Sequence, residues 1–154
     1  MQEKLQEILI FSVHDVFLTF LVKEVFPGQL LEAAFSESRQ AEKRVTAVIN
    51  FSGDFKGSLQ LYCPEVVALR LSSSMANKSF SSMSGEARDV LEELITLVAK
   101  LFQINSSDIC NINISPAIVA YGNKIEMVEK TPSSCFRQSF KIDEDTFMVE
   151  CIVK

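Results

Sequence analysis

The sequence holds one histidine, His14, and its four cysteines, Cys63, Cys110, Cys135 and Cys151, lie far apart with no C-x-x-C pair. Structural zinc sites take closely spaced cysteine and histidine ligands, so this supply excludes the common zinc frameworks and predicts no metal site. Cys63 and Cys151 fall in strand-like apolar runs, where a thiol packs as a small hydrophobe. Such thiols suit a reducing compartment, and the expectation is a cytoplasmic protein without disulfides. A basic cluster is also missing: 15 Lys and Arg face 20 Asp and Glu, a net charge of −5. Nucleic-acid binders gather many cations on one face to displace counterions, so that class is excluded as well. The apolar runs are only a few residues long, too short for a membrane-spanning helix. Residues 1–7, MQEKLQE, lack a basic n-region and a small-residue cleavage site, and are not expected to be a signal peptide.

What is present reads as one globular domain, residues 1–154, with 47% hydrophobic and 23% charged residues. Leu5, Ile8, Leu9, Val13, Val16, Phe17, Phe20, Leu21 and Val25 recur at helical spacing and predict a helix over 3–25, stopped by Pro27-Gly28. Its apolar stripe is wide enough to cover a sheet and touch further protein. Residues 44–63 read as a β-hairpin: two β-branched or alternating runs flank Ser52-Gly-Asp-Phe-Lys56, with Gly53 and Gly57 free to take positive φ. Pro64 suits the first turn of a helix running to about Met75, with Val66, Val67, Leu69, Leu71 and Met75 facing inward. Residues 77–84 are a polar loop. Ser84 can cap a third helix to about Gln103, with Glu86 near its positive end and Ala87, Val90, Leu91, Leu94, Val98, Leu101 and Phe102 as its buried stripe. Three strand-like runs follow, over 112–121, 134–142 and 146–153. Ser115-Pro116 interrupts the first and confines it to an edge or bulge, and Asp143-Glu-Asp145 turns between the other two. This order predicts an α+β fold, a largely antiparallel sheet with helices packed on one face.

Chemical candidates are few. Ser12, His14 and Asp15 contain the residue types of a catalytic triad, but all lie on one helical stretch and read as surface residues. Asp143-Glu-Asp145 lacks the glycine and distal glutamate of a calcium loop. The Gly53–Gly57 stretch lacks the Gly-Lys-Ser/Thr of a phosphate loop and leads into a strand. On the third helix Asp89, Glu93, Thr96 and Lys100 are spaced four, three and four, forming one exposed stripe opposite the apolar one.

Three stretches together resemble the CheX branch of the CheC/CheX/FliY chemotaxis phosphatases. GDFKGSLQL (53–61) followed by PEVVAL (64–69) looks like that family's glycine-bounded hairpin leading into a helix. Residues 86–101 occupy the place of its central helix. NISPAIVAYG (113–122) is similar to its run of a hydroxyl residue, proline and β-branched residues ending in glycine. The resemblance covers about residues 44–153 and implies a CheC-like fold.

In that family the central helix carries Glu-x-x-Asn: the glutamate pairs with a lysine of a CheY-like receiver domain, and the asparagine orients water at the phospho-aspartate. The matching residues here are Glu93 and Thr96, so the resemblance implies these two as catalytic residues, with Asp89, Glu92 and Lys100 as receiver-binding neighbours. Thr96 replaces the amide with one hydroxyl on a shorter arm. Ile95 replaces a small residue and is expected to stand beside the receiver's path. Sensor histidine kinases that dephosphorylate their receivers use an acidic residue followed three later by threonine or asparagine, which resembles Glu93 and Thr96. The implied partners are a CheY-like response regulator, which supplies the Mg2+, and a second copy of the chain, since CheX-like proteins pair through their sheets. No cofactor of its own is implied. The alternative reading is a catalytically silent CheX-like binding or scaffold module.

Overall fold

The computed structural model of the protein describes residues 2–31, 43–122 and 134–154. The helix expected over 3–25 is α1, Gln2–Val16, continued by a π-helical segment, Phe17–Leu21. It ends earlier than the apolar spacing predicts because Val22 turns left-handed, with φ 55°, and its N–H bonds back to the Phe17 carbonyl. Phe17 is fully buried and stacks on Phe147 at 4.8 Å, with Phe147 stacked in turn on Phe140 at 5.3 Å. That aromatic column ties the π segment to the sheet.

Pro27 and Gly28 do not terminate a helix. They belong to a strand the sequence reading missed, β1 (Phe26–Leu31), which pairs antiparallel with β6 (Ser134–Ile142) through Phe26 with Lys141 and Pro27 with Phe140. Proline is tolerated there because β1 is the sheet's edge.

The expected hairpins form. β2 (Arg44–Gly53) pairs with β3 (Gly57–Pro64), and β6 with β7 (Asp145–Val153), all antiparallel. Gly53 takes the predicted positive φ, at 122°. Gly57 does not. It is required by crowding: a Cβ there would lie 1.9 Å from the backbone oxygen of Ile152 on β7. Ser115-Pro116 splits the next run into β4 (Ile112–Ile114) and β5 (Ile118–Gly122), both on the outer edge of β2. The sheet has seven strands in the order β1-β6-β7-β3-β2-β4, with β5 also on β2.

Alternate strand positions meet in register, Ile49 with Leu59 and Leu59 with Cys151, then Ala47 with Leu61 and Leu61 with Val149. Their side chains form one core with the buried residues of the helices. α2 (Glu65–Ala76) and α3 (Gly85–Asn105) lie over this face, and α3 packs against both α1 and α2. Pro64 is the extended residue just before α2 rather than its first turn, and Val66, expected inward, is 52% exposed. Val67 and the positions four and one residues on, Leu71 and Ala68, take the core instead.

Candidate functional site

The site is built on α3. Its start is set by Ser84, whose Oγ accepts from the Ala87 N–H at 3.2 Å, with Glu86 in the positively polarised first turn. Its rigidity comes from the buried stripe Ala87, Leu91, Leu94, Ile95, Val98, Ala99 and Phe102. Ile95 is 0% exposed, so the expectation that it stands in a partner's path is corrected. One residue is 100° of helical turn, and that rotation carries Ile95 into the core while Thr96 stays outside.

The opposite face holds the residues picked out in the sequence. Asp89, Glu93 and Lys100 are exposed, and Glu92 and Thr96 are half-buried. Arg88, at the edge of the same face, joins them. These five charged side chains have no ion-pair partner among the described residues, although helical spacing offers them several. Glu93 and Thr96, one turn apart, project side by side. The Thr96 hydroxyl donates to the backbone oxygen of Glu92 at 2.7 Å, which fixes its rotamer and leaves its oxygen able to accept.

A second group flanks the start of this face. The Arg88 guanidinium carbon lies 5.6 Å from the Tyr121 ring centroid, and Lys43 Nζ lies 6.0 Å from the same ring. The Tyr121 hydroxyl donates to the Glu65 carboxylate, and that bond holds the phenol protonated above its usual range. Sequence reasoning missed this group, because its members come from α2, α3, β5 and the residue before β2, with no shared spacing.

The other candidates do not assemble. Ser12 is buried and donates to the Ile8 carbonyl at 2.7 Å, away from any nucleophilic role beside His14. Asp143 and Asp145 pair with Lys23 and Arg70, each at 2.5 Å, in the walls of a hollow of about 440 Å³ between α2 and the β6–β7 turn. Among the described residues no group of three or more His, Cys, Asp or Glu gathers to hold a metal. Among the described residues no helix is long and apolar enough to cross a membrane.

Comparison with known proteins follows the same lines. The family described as chemotaxis phosphatase CheX matches residues 45–141. No curated protein matches the sequence. Among solved structures, a CheC-like superfamily protein from Shewanella sp. PV-4 superposes with a TM-score of 0.85 at 21% identity, over 100% of this chain and 99% of that one. A chemotaxis protein CheX from Desulfovibrio desulfuricans gives 0.83 at 16% identity, over 97% and 99%. The CheX–CheY–BeF3–Mg2+ complex from Borrelia burgdorferi gives 0.80 at 13% identity, over 96% of each chain.

Proposed function

The chain belongs to the CheX chemotaxis phosphatase family, and on that premise we propose that its α3 face docks a CheY-like receiver domain and hydrolyses the receiver's aspartyl phosphate. The observation that carries this reading is the exposed, unpartnered Glu93 one turn from the outward-facing hydroxyl of Thr96. Glu93 offers a carboxylate to a cation of the receiver, which sets the approach. Thr96 Oγ, whose O–H donates to the Glu92 backbone oxygen, accepts a hydrogen bond from a water molecule and holds it in line with phosphorus. Attack forms the new P–O bond and breaks the bond to the aspartate oxygen, returning a free carboxylate and inorganic phosphate. A CheX–CheY complex with Mg2+ is known from Borrelia burgdorferi, and the metal in this reading comes with the receiver. Asp89, Glu92 and Lys100 form the surrounding contact surface.

Phosphate lifetime on each CheY-like receiver of the same genome tests this. The domain is expected to shorten it, Thr96→Val to abolish most of the gain, and Thr96→Asn, which restores an acceptor, to keep it. A lifetime unmoved by the wild-type domain for every receiver refutes hydrolysis. Binding without hydrolysis establishes instead the silent scaffold, a reading favoured by the shorter reach of Thr96. The same proposal includes a homodimer, supported by exposed Phe11, Leu18, Phe20, Val22 and Phe26 and by a hollow of about 340 Å³ lined by Ile10, Phe11, Val25 and Phe140. Light scattering that finds only monomer at high concentration removes it.

A further inference from the structure

We infer that Arg88, held by Tyr121, is a specificity-determining contact that takes a carboxylate on the receiver's surface; this rests on the docking reading above. Arg88 lies in the first turn of α3, and its Nε is buried with no hydrogen-bond partner. Leaving a buried charged donor unmade is costly, and native structures seldom do so without a use for it. Among the described residues no acid pairs with it: Glu92 is four residues on, and Glu65 is occupied by the Tyr121 hydroxyl. What remains is a guanidinium resting beside an aromatic ring whose far end is tethered, with no acceptor bonded to its Nε. Such preorganisation lowers the entropy lost when an acceptor arrives.

Position determines which acceptor. Arg88, Glu92 and Thr96 are each four residues apart, a rise of about 12 Å from first to last. A specific interface covers about 800 Å² on each partner, so a domain seated over Glu93 and Thr96 also covers Arg88. The phosphoryl group meets Thr96 and is beyond the reach of Arg88. The group that Arg88 meets is therefore a side-chain carboxylate of the receiver, to which a guanidinium fork is matched. The acidic centre of α3 selects a cation, and Arg88 adds an opposite charge at a fixed offset, a two-sign pattern that discriminates among receivers.

The test is titration of the Mg2+ and beryllofluoride forms of all CheY-like receivers of the same genome, with hydrolysis measured in parallel. Arg88→Glu is expected to weaken Kd about tenfold or more for the cognate receiver, with Arg88→Lys between, since it keeps charge and loses the fork. Tyr121→Ala is expected to weaken binding several-fold, and Tyr121→Phe less, because the ring remains. Arg88→Glu should also flatten the salt dependence of Kd. An acid-to-lysine change on the receiver should restore binding to Arg88→Glu, which a merely structural role would not allow. Equal Kd for wild type and a folded Arg88→Glu overturns the inference and leaves docking intact. Failure of the wild type to bind any receiver overturns both.

Discussion

Raising the pH should unfold this protein through two thiols that play no part in the proposed chemistry. Cys63 and Cys151 sit in the core, 4% and 0% exposed, and burial pushes both from 9.0 to about 12. In the unfolded chain each thiol ionises near 9.0, whereas the folded protein keeps the proton. The folded state therefore binds more protons above pH 9, and stability is full below that pH and declines as pH rises towards 12. At pH 10 each unfolded thiol has gained about one pH unit of ionisation, so the pair costs on the order of 2–3 kcal/mol. That is a large part of the 5 to 15 kcal/mol, roughly, by which domains are stable. Urea unfolding under reducing conditions at pH 8 and pH 10 measures it, with the Cys63→Ala/Cys151→Ala protein as the control. The double variant should be weaker at pH 8, having lost buried volume, and flatter with pH. Wild-type stability that is level across this range, or a control that falls equally, refutes the reasoning.

Three further changes probe single features of the fold. Ser84→Ala removes the cap on α3 and should cost about 1 kcal/mol, a drop in Tm of roughly 2–4 °C by calorimetry. Val22→Gly should stabilise the protein by roughly 0.5–1 kcal/mol, measured by urea unfolding. The left-handed φ of 55° burdens a β-branched residue whose side chain is 82% exposed and loses little when removed. Gly57→Ala should cost about 3 kcal/mol or more by the same assay, because its Cβ meets the Ile152 oxygen at 1.9 Å and β3 must part from β7. Unchanged stability in any of the three contradicts the corresponding local geometry.

The parts of the structure legible in the sequence are those written in local periodicity. The hairpins announce themselves by alternation around Gly53 and around the Asp143 turn, and α3 by its apolar stripe and Ser84. The end of α1 was not legible, because the same apolar spacing that runs to Val25 is cut after Leu21 by a left-handed turn at Val22, a β-branched residue that carries no stop signal. β1 was hidden for a related reason: a short strand holding proline and glycine exists only because β6 offers an edge to pair with. Tyr121 and Arg88 meet across the fold and carry no common spacing. Ile95 differs, since its inward turn follows from the helical period alone. Reading it as part of a motif, rather than as the neighbour of Leu91, Leu94, Val98 and Ala99, put it on the wrong side.

That inward turn bears on what threonine does in place of an amide. Hydrolysis of an acyl phosphate by water needs little from a protein beyond placement, so the tolerance on the placing atom matters more than its identity. Leu94, Ile95, Val98 and Ala99 are each 0% exposed, which pins the backbone beneath Thr96 on both adjacent turns. The hydroxyl is then held a second time by its bond to the Glu92 oxygen. A threonine so restrained has one rotamer and one remaining function, acceptance, whereas an asparagine must restrain a longer arm to present its oxygen. The shorter side chain brings the acceptor nearer the helix, and the receiver must then approach closer by the same amount. With Ile95 turned into the core, no bulky neighbour blocks that approach, and on the proposed reading the charged residues around Thr96, which have no ion-pair partner among the described residues, would be the contacts that hold the receiver there.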